Sequence, residues 1–169
     1  MHPLLKLFFD ICLLQKGPQD IPTSPGLLAL LIPTYAGISF LILILSTDPA
    51  TAILQVFAEI FLVLTSCKII LYLAKKNERY QQSASALLAT DSLISLAALP
   101  AMASLIGQGS ALAFFSVVAL MLWHWIVSGH IYSHALDQPF TFGLGVAFLY
   151  ILVSYQLMAL LFPEIINQQ

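Results

Sequence analysis

Five ionisable side chains lie within long apolar stretches of this sequence: Glu59, Asp91, His124, His130 and His134. Carboxylates and imidazoles can exchange protons, bind cations and hold metal ions. An ionisable group in a hydrocarbon environment costs several kcal/mol unless it is paired or hydrated. These five residues are therefore the candidate functional residues.

His130 and His134 are four residues apart and share one helical face, which is a spacing found in helical metal sites. Asp91 could add a carboxylate and complete a metal site with two histidines and one carboxylate, although no HExxH motif occurs. The alternative is a structural pair between Asp91 and a histidine of another span. Protonation would change the charge of such a pair. The sequence does not determine which histidine is the partner of Asp91.

Distances along the predicted helices indicate which of these groups could meet. At 1.5 Å per residue from the cytoplasmic span ends, Asp91 lies about 12 Å deep, His124 about 18 Å, His130 about 9 Å and His134 about 3 Å. Glu59 lies about 22 Å deep by the same measure. We therefore expect Asp91 at a level between His124 and His130, with Glu59 on its own level.

The composition places these residues in a membrane protein. Hydrophobic residues make up 60% of the 169 positions, charged residues only 8%, and the mean hydropathy is +0.94, whereas a soluble domain carries about 25% charged residues. The net charge of −2 argues against a nucleic-acid partner, which requires a basic face. Neither cysteine has metal-binding spacing, and no cofactor is expected.

The expected fold is all-α, a polytopic membrane bundle of five transmembrane helices preceded by a short interfacial amphipathic helix. An apolar helix of about 20 residues crosses the hydrocarbon core. The predicted segments are an amphipathic segment at 1–22, a transmembrane domain at 23–163 with spans at about 25–45, 52–74, 83–106, 111–136 and 140–162, and a short outer tail at 164–169.

All lysines and arginines lie before Tyr80, and they predict the orientation. They are Lys6, Lys16, Lys68, Lys75, Lys76 and Arg79. Cytoplasmic loops carry an excess of these residues, so we expect the N-terminus in the cytoplasm and the C-terminus outside.

The N-terminal segment is amphipathic and lacks the cleavage site of a signal peptide. Its Lys6 and Asp10 are one turn apart and can pair. The other side is apolar and carries Leu4, Leu7, Phe8, Ile11 and Leu14. This face could lie in the membrane interface or pack on the bundle.

Small residues recur at four-residue spacing in the last two spans, at Gly129 and Ser133 and at Gly143 and Ala147. Such patterns let membrane helices approach closely. The third span is also rich in serine and alanine, and no serine lies in a GxSxG turn. These residues therefore predict packing rather than nucleophilic chemistry.

The stretch from Arg79 to Gln156 resembles the Yip (Ypt-interacting protein) family of five-span membrane proteins, in its compact bacterial form. The resemblance is carried by Tyr80-Gln81-Gln82, Leu99-Pro100, Trp125, His134 and Asp137-Gln138-Pro139. It implies a non-enzymatic protein of the bacterial inner membrane, with a periplasmic C-terminus, that acts through helix partners or lipids. The Asp-Leu-Tyr-Gly-Pro stretch of eukaryotic members is absent, so neither a GTPase partner nor a site residue is transferred.

Three functions follow from these observations. The first is a scaffold or accessory subunit without catalytic activity, whose partners are the lipid bilayer, other membrane proteins or a second copy of itself. The second is a small transporter or channel subunit that uses Asp91, Glu59 and the histidines of the fourth span. The third is a membrane-embedded metal enzyme with ligands Asp91, His130 and His134.

Overall fold

A computed structural model describes residues 3–163 of the chain, and the predicted tail at 164–169 lies outside the described residues. Six α-helices account for most of the described chain, with no strand among those residues. The helices are α1 (Pro3–Cys12), α2 (Pro25–Leu43), α3 (Pro49–Leu73), α4 (Tyr80–Gln108), α5 (Ala111–Leu136) and α6 (Phe140–Leu161). Single 3-10 turns occupy Pro18–Asp20 and Asn77–Arg79.

Helices α2 to α6 are each long and apolar enough to cross a membrane. The shortest, α2, has 19 residues and the longest, α4, has 29, against the roughly 20 needed for the hydrocarbon core. The all-α bundle with five candidate spans is confirmed, and the chain is an integral membrane protein.

Helix starts are set by caps that the sequence carries. Ser24 accepts a hydrogen bond from the Leu27 N–H at 3.3 Å and begins α2, with a proline in its first turn. The Asp48 carboxylate accepts from the N–H groups of Ala50 and Thr51 and begins α3 at Pro49. This cap extends α3 three residues before the predicted start at 52, because an N-cap oxygen satisfies the free N–H groups of the first turn.

Helix α4 is the centre of the bundle and contacts α1, α2, α3 and α5. It begins at Tyr80, three residues before the predicted start, because the Asn77–Arg79 turn leads directly into it. Every residue from 83 to 90 is buried. The small side chains of this stretch allow neighbouring helices to pack on several sides of α4.

Helices α5 and α6 approach closely at two glycines. A Cβ added at Gly143 would lie 2.7 Å from the Ser133 backbone nitrogen, and one added at Gly129 would lie 2.7 Å from Leu144 Cδ2. Trp125 Nε1 donates a hydrogen bond to the Leu144 carbonyl at 3.0 Å across the same interface. The small-residue spacing thus marks a helix–helix contact, as the sequence predicts.

Helix α1 packs on the bundle, which is one of the two positions that the sequence leaves open. Phe8 and Ile11 are buried and contribute to the hydrophobic core, and α1 lies mainly against α4. Leu5 and Phe9 are exposed on its other side, and Leu13 is exposed just after its end. The helix therefore presents apolar side chains both to the bundle and away from it.

The 75–79 loop and the 137–139 loop meet at one end of the bundle, which we call the basic end. Helix α5 stops here with Asp137 in the left-handed conformation at φ 52°. Lys76 Nζ donates to the Leu136 carbonyl at 2.9 Å, and Arg79 Nη1 donates to the His134 carbonyl at 3.0 Å. These cations cap the free carbonyls that end a helix.

The same cations also bind the Asp137 carboxylate. Arg79 Nη1 lies 2.8 Å from Asp137 Oδ1, and Lys76 is paired with Oδ2. The hydrogen bonds from Arg79 and then Lys76 lower the pKa of Asp137 from 3.8 to about 2, because both favour the charged carboxylate. One clamp thus joins the two loops of the basic end.

Candidate functional site

Asp91 and His124 form a pair between α4 and α5 in the middle of the bundle. His124 Nε2 lies 2.5 Å from Asp91 Oδ1, and the Asp91 side chain is only 12% exposed. No described residue gives the buried Oδ1 a hydrogen bond of ordinary geometry. Two ionisable groups are therefore in close contact. His124 is the histidine that pairs with Asp91, a partner that the sequence left open.

Glu59 of α3 lines the same cavity as this pair. The prediction that Glu59 lies at a depth of its own is therefore wrong. Measured from the observed basic ends of the helices, Glu59 lies about 21 Å along α3, Asp91 about 17 Å along α4 and His124 about 18 Å along α5. The earlier start of α4 at Tyr80 shifts Asp91 toward Glu59. The remaining offset is less than one helical turn.

The Glu59 carboxylate has few partners. The Tyr35 hydroxyl of α2 approaches Glu59 Oε2 at 3.5 Å, at the outer limit of a hydrogen bond. Tyr35 is itself buried, with 7% of its surface exposed. Glu59 thus faces the cavity as a carboxylate without a cationic neighbour among the described ion pairs.

These groups enclose a polar cavity of about 320 Å³ between α2, α3, α4, α5 and α6. It extends from the Asp91–His124 pair toward the end of the bundle opposite the basic end, where Leu43 and Ala159 line it. Besides Glu59, Asp91 and His124, its polar lining consists of Tyr35, Gln55, Tyr150, Ser154 and Tyr155. We call this space the polar cavity.

The polar lining includes residues that sequence reasoning missed. Gln55 is 2% exposed and precedes Glu59 by four residues, on the same face of α3. Tyr150 and Ser154 repeat that spacing on α6. Polar residues four apart in otherwise apolar spans are a signal that could have indicated one shared polar face.

His130 and His134 lie elsewhere, at the basic end. Their rings meet edge to face with centroids 4.5 Å apart. His130 Nε2 donates to the Lys16 carbonyl at 2.9 Å, and Gln19 Nε2 approaches His134 Nδ1 at 3.5 Å. The two histidines thus contact the segment that links α1 to α2.

The structure does not bring Asp91 to His130 and His134, which corrects the predicted three-residue metal set. His130 lies six positions after His124, which is about 9 Å along α5 and on a different helical face. Because Asp91 faces His124, it cannot also reach the basic end. Among residues 3–163, no three His, Cys, Asp or Glu side chains are grouped so that they could hold a metal ion.

The polar cavity combines groups that can exchange protons or bind a cation. A carboxylate and an imidazole in contact can share or pass a proton. Glu59 adds a second carboxylate, and the three tyrosines add hydroxyl groups and aromatic faces. Intramembrane carboxylates and histidines that face a cavity are typical of ion and proton pathways.

The fold and this cavity define a polytopic α-helical membrane protein with an ionisable site between its spans. Comparison with family models, with curated proteins and with solved structures found no match.

Proposed function

We propose that this protein is a small transporter or channel subunit that binds a protonatable or cationic solute in the polar cavity. The observation that carries the proposal is the convergence of Glu59, Asp91 and His124 from three different spans on one cavity. Three ionisable groups brought together at this depth are costly for the fold. A function that requires them explains why the chain holds them there.

The proposed orientation places the basic end in the cytoplasm. Lys75, Lys76 and Arg79 lie at that end, and the loops at 44–48 and 109–110 contain no lysine or arginine, which agrees with the excess of these residues in cytoplasmic loops. The polar cavity then extends toward the periplasmic side of a bacterial inner membrane.

Each ionisable residue has a role in this proposal. Asp91 and His124 exchange a proton between carboxylate and imidazole, and Glu59 receives the positive charge of the solute. When the pair takes up a proton from outside the cavity, the charge of the cavity becomes more positive and its affinity for a cation falls. No catalytic step and no cofactor are required.

The proposal is tested by proton flux into proteoliposomes under an imposed pH gradient. Asp91→Asn is expected to reduce the flux to that of empty vesicles, because an amide cannot carry the proton. Asp48→Asn is the matched control, since Asp48 caps α3 outside the spans and asparagine caps helices equally well. Wild-type flux no greater than that of empty vesicles would refute the proposal.

The scaffold or accessory role, in a protein similar to the Yip family, is the second candidate. A specific observation favours it: after Ala147, no described residue of α6 is buried. Exposed side chains such as Leu149, Leu160 and Leu161 could pack against a partner helix in the membrane. Vesicles without flux, combined with a native mass spectrum of a stable oligomer or protein complex, would support this role over transport.

A further inference from the structure

A wide apolar groove separates α3 from α6, which meet only loosely. It has a volume of about 1010 Å³ and runs from the basic end toward the middle of the bundle. Its apolar lining includes Phe61, Ile69, Leu73, Phe142, Leu149 and Val153. Because these positions lie on membrane-spanning helices, the groove opens sideways toward lipid.

The groove and the polar cavity adjoin. Leu62, Tyr150 and Ser154 line both spaces. Glu59 of the cavity lies less than one turn from Leu62 on α3, about 4.5 Å along the axis. The two spaces therefore share part of their walls, and we call them together the crevice, which has an apolar part and an acidic part.

The chemistry of the acidic part selects a cation. His124 offsets the charge of Asp91, whereas Glu59 has no cationic neighbour among the described ion pairs. Tyr35, Tyr150 and Tyr155 line the cavity around it, and aromatic rings attract cations across their faces. An anionic headgroup would instead meet carboxylates in a site of low dielectric constant.

We infer that the ligand of the polar cavity is an amphipathic cation whose ammonium group sits at Glu59 and whose apolar tail lies in the α3–α6 groove. This inference rests on the proposed function and names the solute class. The apolar tail concentrates the ligand in the bilayer, so that it reaches the cavity sideways along the groove.

The test uses the full chain in nanodiscs and dodecyltrimethylammonium as the probe. Equilibrium dialysis, with empty nanodiscs subtracted, is expected to find one saturable site per chain. Glu59→Gln should weaken this binding at least about tenfold, because the desolvated cation loses its counter-charge. Glu78→Gln, in the exposed turn at the basic end, is the matched control and should bind as the wild type does.

The tail position is tested by filling the groove. Ser66→Phe places an aromatic ring in the groove but not in the polar cavity. It should weaken dodecyltrimethylammonium and leave binding of the tailless tetramethylammonium unchanged. Thr65→Phe, at the adjacent groove position, replaces it if Ser66→Phe lowers the melting temperature.

Three results would overturn the inference: equal binding by wild type and Glu59→Gln, equal binding of dodecyl sulfate, or no effect of the groove variants. The proton-flux assay distinguishes failure of the amphipathic-cation inference from failure of the proposed transport function. Flux that depends on Asp91 without dodecyltrimethylammonium binding removes the amphipathic cation alone. Absence of both flux and binding removes both proposals.

Discussion

Asp137 shows at residue scale how one exposed side chain joins two loops. It accepts from Arg79 and Lys76, whose own hydrogen bonds cap the last carbonyls of α5. The segment Asp137-Gln138-Pro139 is evident in the sequence as a break between spans. Its partners, more than fifty residues earlier, are set by the packing of α4 against α5.

The lowered pKa of Asp137 predicts a pH-dependent stability. Because its folded pKa, about 2, lies below the ordinary value of 3.8, its stabilising contribution is present above pH 3.8 and is lost as the pH falls toward 2. Asp137→Asn should therefore lower the melting temperature in detergent at pH 6. The difference from wild type should shrink between pH 4 and pH 2, as followed by circular dichroism. A difference that stays constant over that range would contradict the ion-pair clamp.

The candidate site could be predicted in part from single residues. The cost of burying charge in a span indicated Glu59, Asp91 and His124 as candidates. The choice between His124 and His130 could not be made, because it depends on the rotation of α5 about its axis. That rotation is fixed by contacts with α4 and α6 that one sequence does not display.

At the scale of elements, the length of each apolar stretch predicted the spans well. The predicted helix starts were wrong where a cap or a turn lies just before the span. The predicted and observed bounds of α5 agree, at 111–136. Helices α3 and α4 each start three residues earlier than predicted, owing to the Asp48 cap and the turn before Tyr80. The second shift places Asp91 at a depth nearer that of Glu59, and both residues line one cavity.

Because α5 and α6 are in close contact, we predict that adding a single methyl group at their interface lowers the stability of the fold. Gly143→Ala would place a Cβ 2.7 Å from the Ser133 nitrogen, and overpacking of this kind costs about 1–3 kcal/mol. A lower melting temperature in detergent is expected. Gly145→Ala is the matched control on the same helix, because a Cβ there meets nothing within 4 Å. Equal melting temperatures for the two variants would contradict the close helix contact.

At the scale of the whole molecule, the bundle is packed unevenly. The half near the basic end holds the contiguous buried stretch of α4, the glycine contact of α5 with α6, and the docked α1. The other half is looser, and α6 buries no described residue after Ala147. Hydropathy alone could not predict this asymmetry, since all five spans are similarly apolar.

The crevice extends through both halves of the bundle. The α3–α6 groove begins at the basic end, where Lys76 and Asp137 line it, and the polar cavity extends toward the opposite end. The ionisable pair lies in the middle of the bundle, between the tightly packed half and the looser one. The central claim is that Asp91 is coupled to His124 within this cavity and not to the histidines of the basic end.

A double-mutant cycle on unfolding free energy tests that claim most directly. Asp91→Asn is combined with His124→Gln, and separately with His130→Gln. Groups in contact show interaction energies of about 0.5–3 kcal/mol, whereas independent groups add within about 0.5 kcal/mol. We predict coupling of Asp91 with His124 and additivity with His130. Coupling to His130, or additivity in both cycles, would contradict the site described here.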